Sequence, residues 1–379
     1  MKEKSHKKVL VCYLGRRGAG PVYAYEMTKS LLENGCEVYA IISEHIENKP
    51  LWEALSFKHL YVYSTYNSMR ECVLHSLKFY FFQRKKLEKE LEKIHLDVIY
   101  MPMLHVWNIF FCTKLPFVKK IFTVHDPVIH ENNRKVIYFL EKYINWRCIK
   151  SADAIVILSK LFKDYVANHF NVGKEKIYWI PHGRFDYYDK DIQRKEDIIE
   201  CDGIQFLFFG RVEKYKGLEI LAQAYRLLSE KNLNVTLTIA GEGDFSPYEK
   251  MYDGLNNITI INRWIREDEV QDFFRRKKVV TVLPYLSATQ SGVIPIAMHF
   301  KSLVIASDVG GLSEQIENGS TGYLIEKGNV DALYRKMQFV CENYDLTYKI
   351  RENANEKIKE LSWKNLGRNL IRIMDEICS

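Results

Sequence analysis

The feature that most constrains this chain is an alternation, run twice, of short apolar stretches with longer helical patterns. In the first half Val9–Leu14 reads as a strand, Tyr23–Asn34 as a helix stopped by Gly35, and Glu37–Ser43 as a second strand. Asp97–Met101, Lys120–His125 and Ala154–Ser159 continue the strands, and Tyr178–Gly183 closes the series. In the second half Gln205–Phe209, Val235–Ala240, Ile258–Ile261, Val279–Leu283 and Leu303–Ala306 read as strands, with a helix over Gly217–Ser229. Strands that alternate with helices specify an α/β class with parallel sheets covered on both faces. Between the halves, 186–203 is highly charged and lacks an apolar period, so it reads as the linker between a domain at 1–185 and one beginning at 204.

The chain has 379 residues, 47% of them hydrophobic and 27% charged, which is enough to bury two cores. This balance excludes disordered, collagen-like and disulfide-stapled classes. None of the 8 cysteines forms a C-x-x-C pair or has a histidine at zinc-finger spacing, so no metal is expected. The net charge of +7 is spread along the chain. It favours anionic partners such as phosphates or an acidic membrane surface, without the density of a nucleic-acid binder. The run after the basic N-terminus is too short for a signal-peptide core, and no stretch approaches the roughly 20 apolar residues of a bilayer span. The expected location is cytoplasmic, free or peripheral on the inner face of the cell membrane.

Three segments carry chemistry. The first, Gly15–Gly20, lies between a strand and a helix with the spacing G-x-x-G-x-G. Gly18 and Gly20 would let backbone N–H groups approach a phosphate or a sugar beside a helix N-terminus, although a tight strand-to-helix turn needs the same residues. Glu44 sits where a ribose-binding acid would, yet the glycine order is not the G-x-G-x-x-G of nicotinamide enzymes. In the second segment, Phe208–Gly217, a strand ends at Gly210, and Arg211 and Lys216 leave the following loop beside a helix start. Two cations there would make a diphosphate clamp. In the third, Leu283–Met298, a strand runs into a polar loop with Thr289, Gln290, Ser291, Gly292 and Val293, able to hydrogen-bond a polar ligand. Gly310 and Gly311 follow the next strand in the same way.

The order and spacing of these segments resemble the retaining glycosyltransferases of family 4, which have the GT-B fold, two Rossmann-like domains facing across a cleft. The strongest pieces are Phe209–Leu218 and Val304–Ile316, followed by Gly319 and Gly322–Leu324, and the likeness spans essentially the whole chain. It implies that Arg211 and Lys216 bind the donor diphosphate and stabilise the leaving nucleoside diphosphate without a metal or other cofactor. It implies that His125 faces the donor sugar, although Asp126 and Pro127 also suit a packed turn histidine. Trp264 and Ile265 would lie at the nucleobase, where Trp264 equally suits packing. Leu361–Trp363 looks like the family's last helix region, so 204–355 would be the nucleotide-sugar domain and 356–379 a helix returning to the N-terminal domain.

One departure is plain. The two glutamates that the family carries eight positions apart are replaced by Ala288 and Ile296. The loop 288–292 resembles a subgroup, often found in bacterial surface-polysaccharide synthesis, that substitutes polar residues. The resemblance implies transfer of a sugar from a nucleotide sugar to a saccharide or lipid-linked saccharide acceptor. Loss of both glutamates also raises the alternative of a non-catalytic GT-B partner or chaperone subunit. Finally, 78–93 mixes aromatic residues with six cations and three acids. It reads either as a helix resting on an anionic membrane or as a solvated helix whose Phe residues pack inward.

Overall fold

The computed structural model describes residues 7–66, 68–115, 117–128, 135–185, 203–231 and 233–379. The linker expected over 186–203 lies outside the described residues apart from Gly203. The chain divides into two compact units: one ends at Gly183 and takes back Trp363–Ser379, and the other is Arg184–Ser362.

The first unit holds seven strands: β1 (Lys8–Tyr13), β2 (Glu37–Ser43), β3 (His59–Tyr63), β4 (Val98–Met101), β5 (Lys119–Val124), β6 (Ala154–Ile157) and β7 (Ile177–Trp179). They pair in the order β3-β2-β1-β4-β5-β6-β7, every pair parallel. The sequence pattern misses β3 and places β7 only as an end segment. β3 is a five-residue edge strand, mostly half-buried or exposed, whose short run Leu60–Tyr63 is too brief for a periodic pattern to mark it as a strand.

β1 shows how the sheet makes two cores. Val9, Val11 and Tyr13 point to one face and Leu10 and Cys12 to the other, as the two-residue period of a strand requires. The first face is covered by the helices Ala19–Glu33 and Trp363–Cys378. The latter buries Trp363, Leu366, Leu370, Ile373 and Met374, one stripe of a helix. Each of those aliphatic side chains contributes about 1.5–3 kcal/mol on burial. The second face is covered by the segment Met69–Ile94 and the helices Asn108–Lys114 and Lys135–Ser151.

The second unit holds β8 (Ile204–Phe209), β9 (Val235–Ala240), β10 (Ile258–Ile261), β11 (Val279–Leu283), β12 (Leu303–Ser307) and β13 (Tyr323–Ile325). Their order is β10-β9-β8-β11-β12-β13, again all parallel. β8, β11 and β12 are buried along their whole length and read as near-continuous apolar runs, each with a single polar residue (Gln205, Thr281 and Ser307).

The return to the first unit begins at Trp363, not at residue 356. The preceding helix, Tyr348–Glu360, stays with the second unit. Asn355 fixes it there by donating Nδ2 hydrogen bonds to Met298 O (3.0 Å) and His299 O (2.9 Å). Among the described residues no helix is long and apolar enough to cross a membrane.

Candidate active site

In each sheet the strand order reverses once, between β1 and β4 and between β8 and β11. Loops that leave adjacent strands in opposite directions open a crevice at their carboxyl ends, where α/β proteins bind ligands. In the second unit these are the loop after β8, carrying Gly210, Arg211 and Lys216, and the loop after β11, carrying Pro284 to Gly292.

Glycines bring the two loops together. Gly210 has φ +118°, and a Cβ there would lie 2.9 Å from Lys216 Nζ. Gly217 has φ +68°, and a Cβ would meet Pro284 O at 2.0 Å. Leu286 N donates to Tyr215 O at 2.7 Å, which ties the loops by backbone as well.

Lys216 is buried beneath this junction. Its Nζ donates to Tyr285 Oη at 3.3 Å and lies 5.0 Å from the centre of the Tyr285 ring and 6.0 Å from that of Tyr215. Among the described residues no carboxylate lies within 4.0 Å of Nζ. Desolvation pushes its pKa down, the field of Tyr215 opposes this, Arg211 lowers it further and Glu213 raises it. Arg211 is exposed, with Nη1 3.9 Å from Glu213 Oε1. The loops therefore hold a desolvated ammonium and a neighbouring guanidinium, a pair whose mutual repulsion an anion would relieve.

The loop after β11 is held from outside. Gln315 accepts from Ser291 N (2.8 Å) through Oε1 and donates to Ser291 O (2.9 Å) through Nε2. The Ser291 hydroxyl accepts from Val293 N at 3.3 Å. Burial pushes the Tyr285 phenol up to about 12, with hydrogen bonding by Ser291 working against the shift. Thr289 and Ser291 are buried, and Gly292 precedes the short helix Val293–His299. Gln290 is partly buried, and its Oε1 is inaccessible and has no hydrogen-bond partner among the described residues. Ala288 and Ile296, which replace the two acids, are buried apolar residues. Ile265 is buried and Trp264 half-buried after β10, and beside them Arg263 forms a bidentate pair with Glu269 at 2.9 and 2.7 Å.

In the first unit the corresponding loop follows β1. Gly18 adopts φ +90°, and its N–H donates to Glu47 Oε1 at 3.2 Å. Gly20 is buried in the first turn of Ala19–Glu33, where a Cβ would meet Tyr13 Oη at 2.7 Å and Met103 Cε at 3.0 Å. Close packing on Tyr13 thus requires a glycine at 20.

His125 follows β5. Its Nε2 lies 2.8 Å from Pro102 O, and a carbonyl only accepts, so Nε2 carries the proton. Burial lowers its pKa against the raising effects of Pro102 and Asp126. The ring is therefore neutral at pH 7, with Nδ1 as an acceptor. Tyr23 meets it edge-on at 4.6 Å, and His182 and Trp363 pack on Tyr23 at 5.7 and 5.5 Å.

Tyr285, Gln315, Tyr23 and His182 escape the sequence reading as site residues. Tyr285 stands two positions past the end of β11, a local signal that could have found it. Gln315 lies 24 positions from Ser291, so only the fold reveals that contact.

Two crevices built at strand-order reversals, one holding a buried cation with no carboxylate partner among the described residues, define an α/β protein of the kind that binds a polar or anionic ligand at its strand ends. Comparison with known proteins agrees. The family model described as Glycosyltransferase Family 4 matches residues 20–184, and that described as Glycosyl transferases group 1 matches 203–343. An uncharacterized glycosyltransferase of Methanocaldococcus jannaschii is 24% identical over 321 residues, covering 79% of this chain and 81% of that one. The capsular polysaccharide biosynthesis glycosyltransferase CapM of Staphylococcus aureus is 23% identical, covering 61% of this chain and 63% of its own. HepE of Anabaena, solved in complex with UDP-glucose, superposes with a TM-score of 0.71 at 15% identity, covering 98% of this chain and 100% of that one. The fold is GT-B, with two Rossmann-like domains. The chain is a family 4-like glycosyltransferase.

Proposed function

We propose that the chain is a retaining glycosyltransferase that moves a sugar from a nucleoside-diphosphate donor to a hydroxyl of a saccharide or lipid-linked saccharide. We place it in surface-polysaccharide synthesis. CapM, a capsular polysaccharide enzyme by name, supports that setting, and the UDP-glucose bound by HepE supports the donor class. The observation that carries the reading is Lys216, a buried ammonium at the strand-order reversal with no carboxylate partner among the described residues.

During transfer the C1–O bond to the diphosphate breaks and a bond from C1 to the acceptor oxygen forms on the same face. The acceptor proton passes to the departing phosphate. Negative charge grows on that phosphate, so Lys216 and Arg211 bind the transition state more tightly than the donor. They supply the neutralisation that would otherwise fall to a metal ion. Peptide N–H groups and side chains of Thr289 to Val293 take the remaining phosphate and hydroxyl contacts, with Trp264 and Ile265 at the base. In the first unit, Gly18 and Gly20 shape the turn, and His125 Nδ1 accepts a hydrogen bond from a sugar hydroxyl. The segment 78–93 rests on an anionic membrane. Phe79 packs inward, whereas Phe81 and Phe82 point outward.

The test is a screen of nucleotide sugars for hydrolysis or transfer in the presence of a metal chelator. Turnover with retained anomeric configuration supports the reading. Binding of nucleotide without turnover on any donor would favour the non-catalytic partner.

A further inference from the structure

The first unit also carries an exposed aromatic surface whose residues have no part in the transfer chemistry proposed above. The chain from Met69 to Ile94 is helical throughout, with a π-helical turn at Phe79–Gln83. Phe79 turns inward and stacks on Trp107 at 4.3 Å. The wider turn leaves Tyr80, Phe81 and Phe82 all exposed, the last two by 64% and 79%. Val73, Leu74 and Leu77 extend this apolar strip along the preceding helix.

A second strip lies on the helix Lys135–Ser151. Phe139, Tyr143 and Trp146 recur at i, i+4 and i+7, and are exposed by 65%, 52% and 41%. This face is aromatic where a water-facing helix is normally polar. Both strips belong to one side of the sheet. The short helix Asn108–Lys114 lies between them, touching Phe79 through Phe110 (5.5 Å) and Cys148 through Cys112 (Sγ–Sγ 3.6 Å).

The chemistry around the strips is cationic. The sequence 135–151 has four cations and one acid. Two arginines stack on exposed aromatic rings, Arg84 over Tyr80 at 4.3 Å and Arg147 over Trp146 at 6.0 Å. Among the described residues, Nε and Nη1 of Arg84 and Nε of Arg147 are shielded from water without a hydrogen-bond partner. A cationic helix face with outward aromatic rings suits an anionic lipid interface, which aromatic side chains enter while the cations meet the phosphates.

We infer that the helix Lys135–Ser151, through Phe139, Tyr143 and Trp146, forms with the π-turn segment one two-stripe docking surface for an anionic bilayer. The inference extends the membrane reading of 78–93 proposed above and rests on it. The commitment to lipid over a second protein copy follows from charge: a self-associating copy would bring the same cations together, whereas anionic lipid pairs with them.

The experiment is sedimentation of the full chain with vesicles of phosphatidylcholine, with and without phosphatidylglycerol. Brominated lipid provides a depth-sensitive quencher of Trp146. Wild type should sediment only with the anionic vesicles, and its quenching should be lost in Trp146→Phe. The triple variant Phe139→Ser, Tyr143→Ser, Trp146→Ser should bind about tenfold or more weakly, as should Lys142→Glu combined with Phe139→Ser. The midpoint of thermal unfolding and UDP affinity report intact folding of these variants.

A triple variant that folds and sediments like wild type, while Phe81→Ser with Phe82→Ser does not, overturns the two-stripe surface and leaves the 78–93 reading standing. Wild type that ignores anionic vesicles overturns both. A concentration-dependent dimer abolished by the triple variant, without vesicle binding, overturns the inference and assigns the surface to a second copy.

Discussion

Lys216 Nζ lies 3.3 Å from Tyr285 Oη, across 69 positions of sequence. The contact joins the two loops that flank the strand-order reversal, and it places a phenol where a buried ammonium would ordinarily need a carboxylate. A phenol stabilises the cation by its hydroxyl dipole and ring face without neutralising it. The positive charge therefore remains available to a ligand. Tyr285→Phe keeps the ring and removes the hydroxyl. It should weaken binding of whichever of UDP and GDP the protein takes by about 1 kcal/mol, roughly fivefold, and shift the pH dependence of binding. Titration calorimetry at several pH values measures both. An unchanged pH profile would leave Tyr285 with a packing role alone.

The charge on Lys216 fixes the sign of that pH dependence. Burial lowers its pKa in the free protein, and a bound diphosphate raises it. Nucleotide affinity should fall as pH rises through the free-protein pKa, because binding then requires proton uptake. The slope should vanish in Lys216→Met. Calorimetry in buffers of different ionisation enthalpy detects the proton directly.

Gln315 grips the backbone of Ser291 through both ends of its amide. Gln315→Ala should loosen the loop after β11, raising KM for the donor by about tenfold with a smaller change in kcat. Steady-state kinetics with saturating acceptor separates the two. An equal fall in kcat would show instead that the loop acts chiefly in the transition state.

His182 provides a stability test in the first unit. It is buried against Tyr23 and Trp363, and burial lowers its pKa to about 4, with the Gly183 carbonyl opposing and His125 adding to the shift. The unfolded chain binds this proton from about pH 6.5 downward. The stabilisation is fully present above pH 6.5 and is lost as pH falls to 4, amounting to roughly 3 kcal/mol. Denaturant melts from pH 7 to pH 4 should show the loss, and His182→Gln should flatten it. The same slope in the variant would assign the acid sensitivity to other groups.

The parts legible in sequence are those where a single segment carries the whole signal. β8, β11 and β12 are buried throughout and read directly as apolar runs. Gly210 and Lys216 stand in one ten-residue stretch whose glycines mark its loop. What stayed hidden depends on pairs distant in sequence. β3 and β13 are short edge strands, five and three residues long, too brief for a periodic pattern to mark them. The return of the chain at Trp363 could not be separated from the helix before it, because both helices are amphipathic and only long-range contacts, such as those of Asn355, show which unit holds the first. Tyr285 looks like an ordinary core aromatic until its hydroxyl is seen on Lys216. The resemblance to a two-glutamate motif directs attention to what Ala288 and Ile296 lack, away from the tyrosine beside them.

The central claim is that the cation pair of the β8 loop takes the diphosphate. Isothermal titration of UDP and GDP into wild type, Lys216→Ala and Arg211→Ala measures it most directly. Wild type should bind at least one of the two nucleotides, with affinity reduced by about tenfold or more in each variant. Undiminished nucleotide binding by both folded variants would contradict the account.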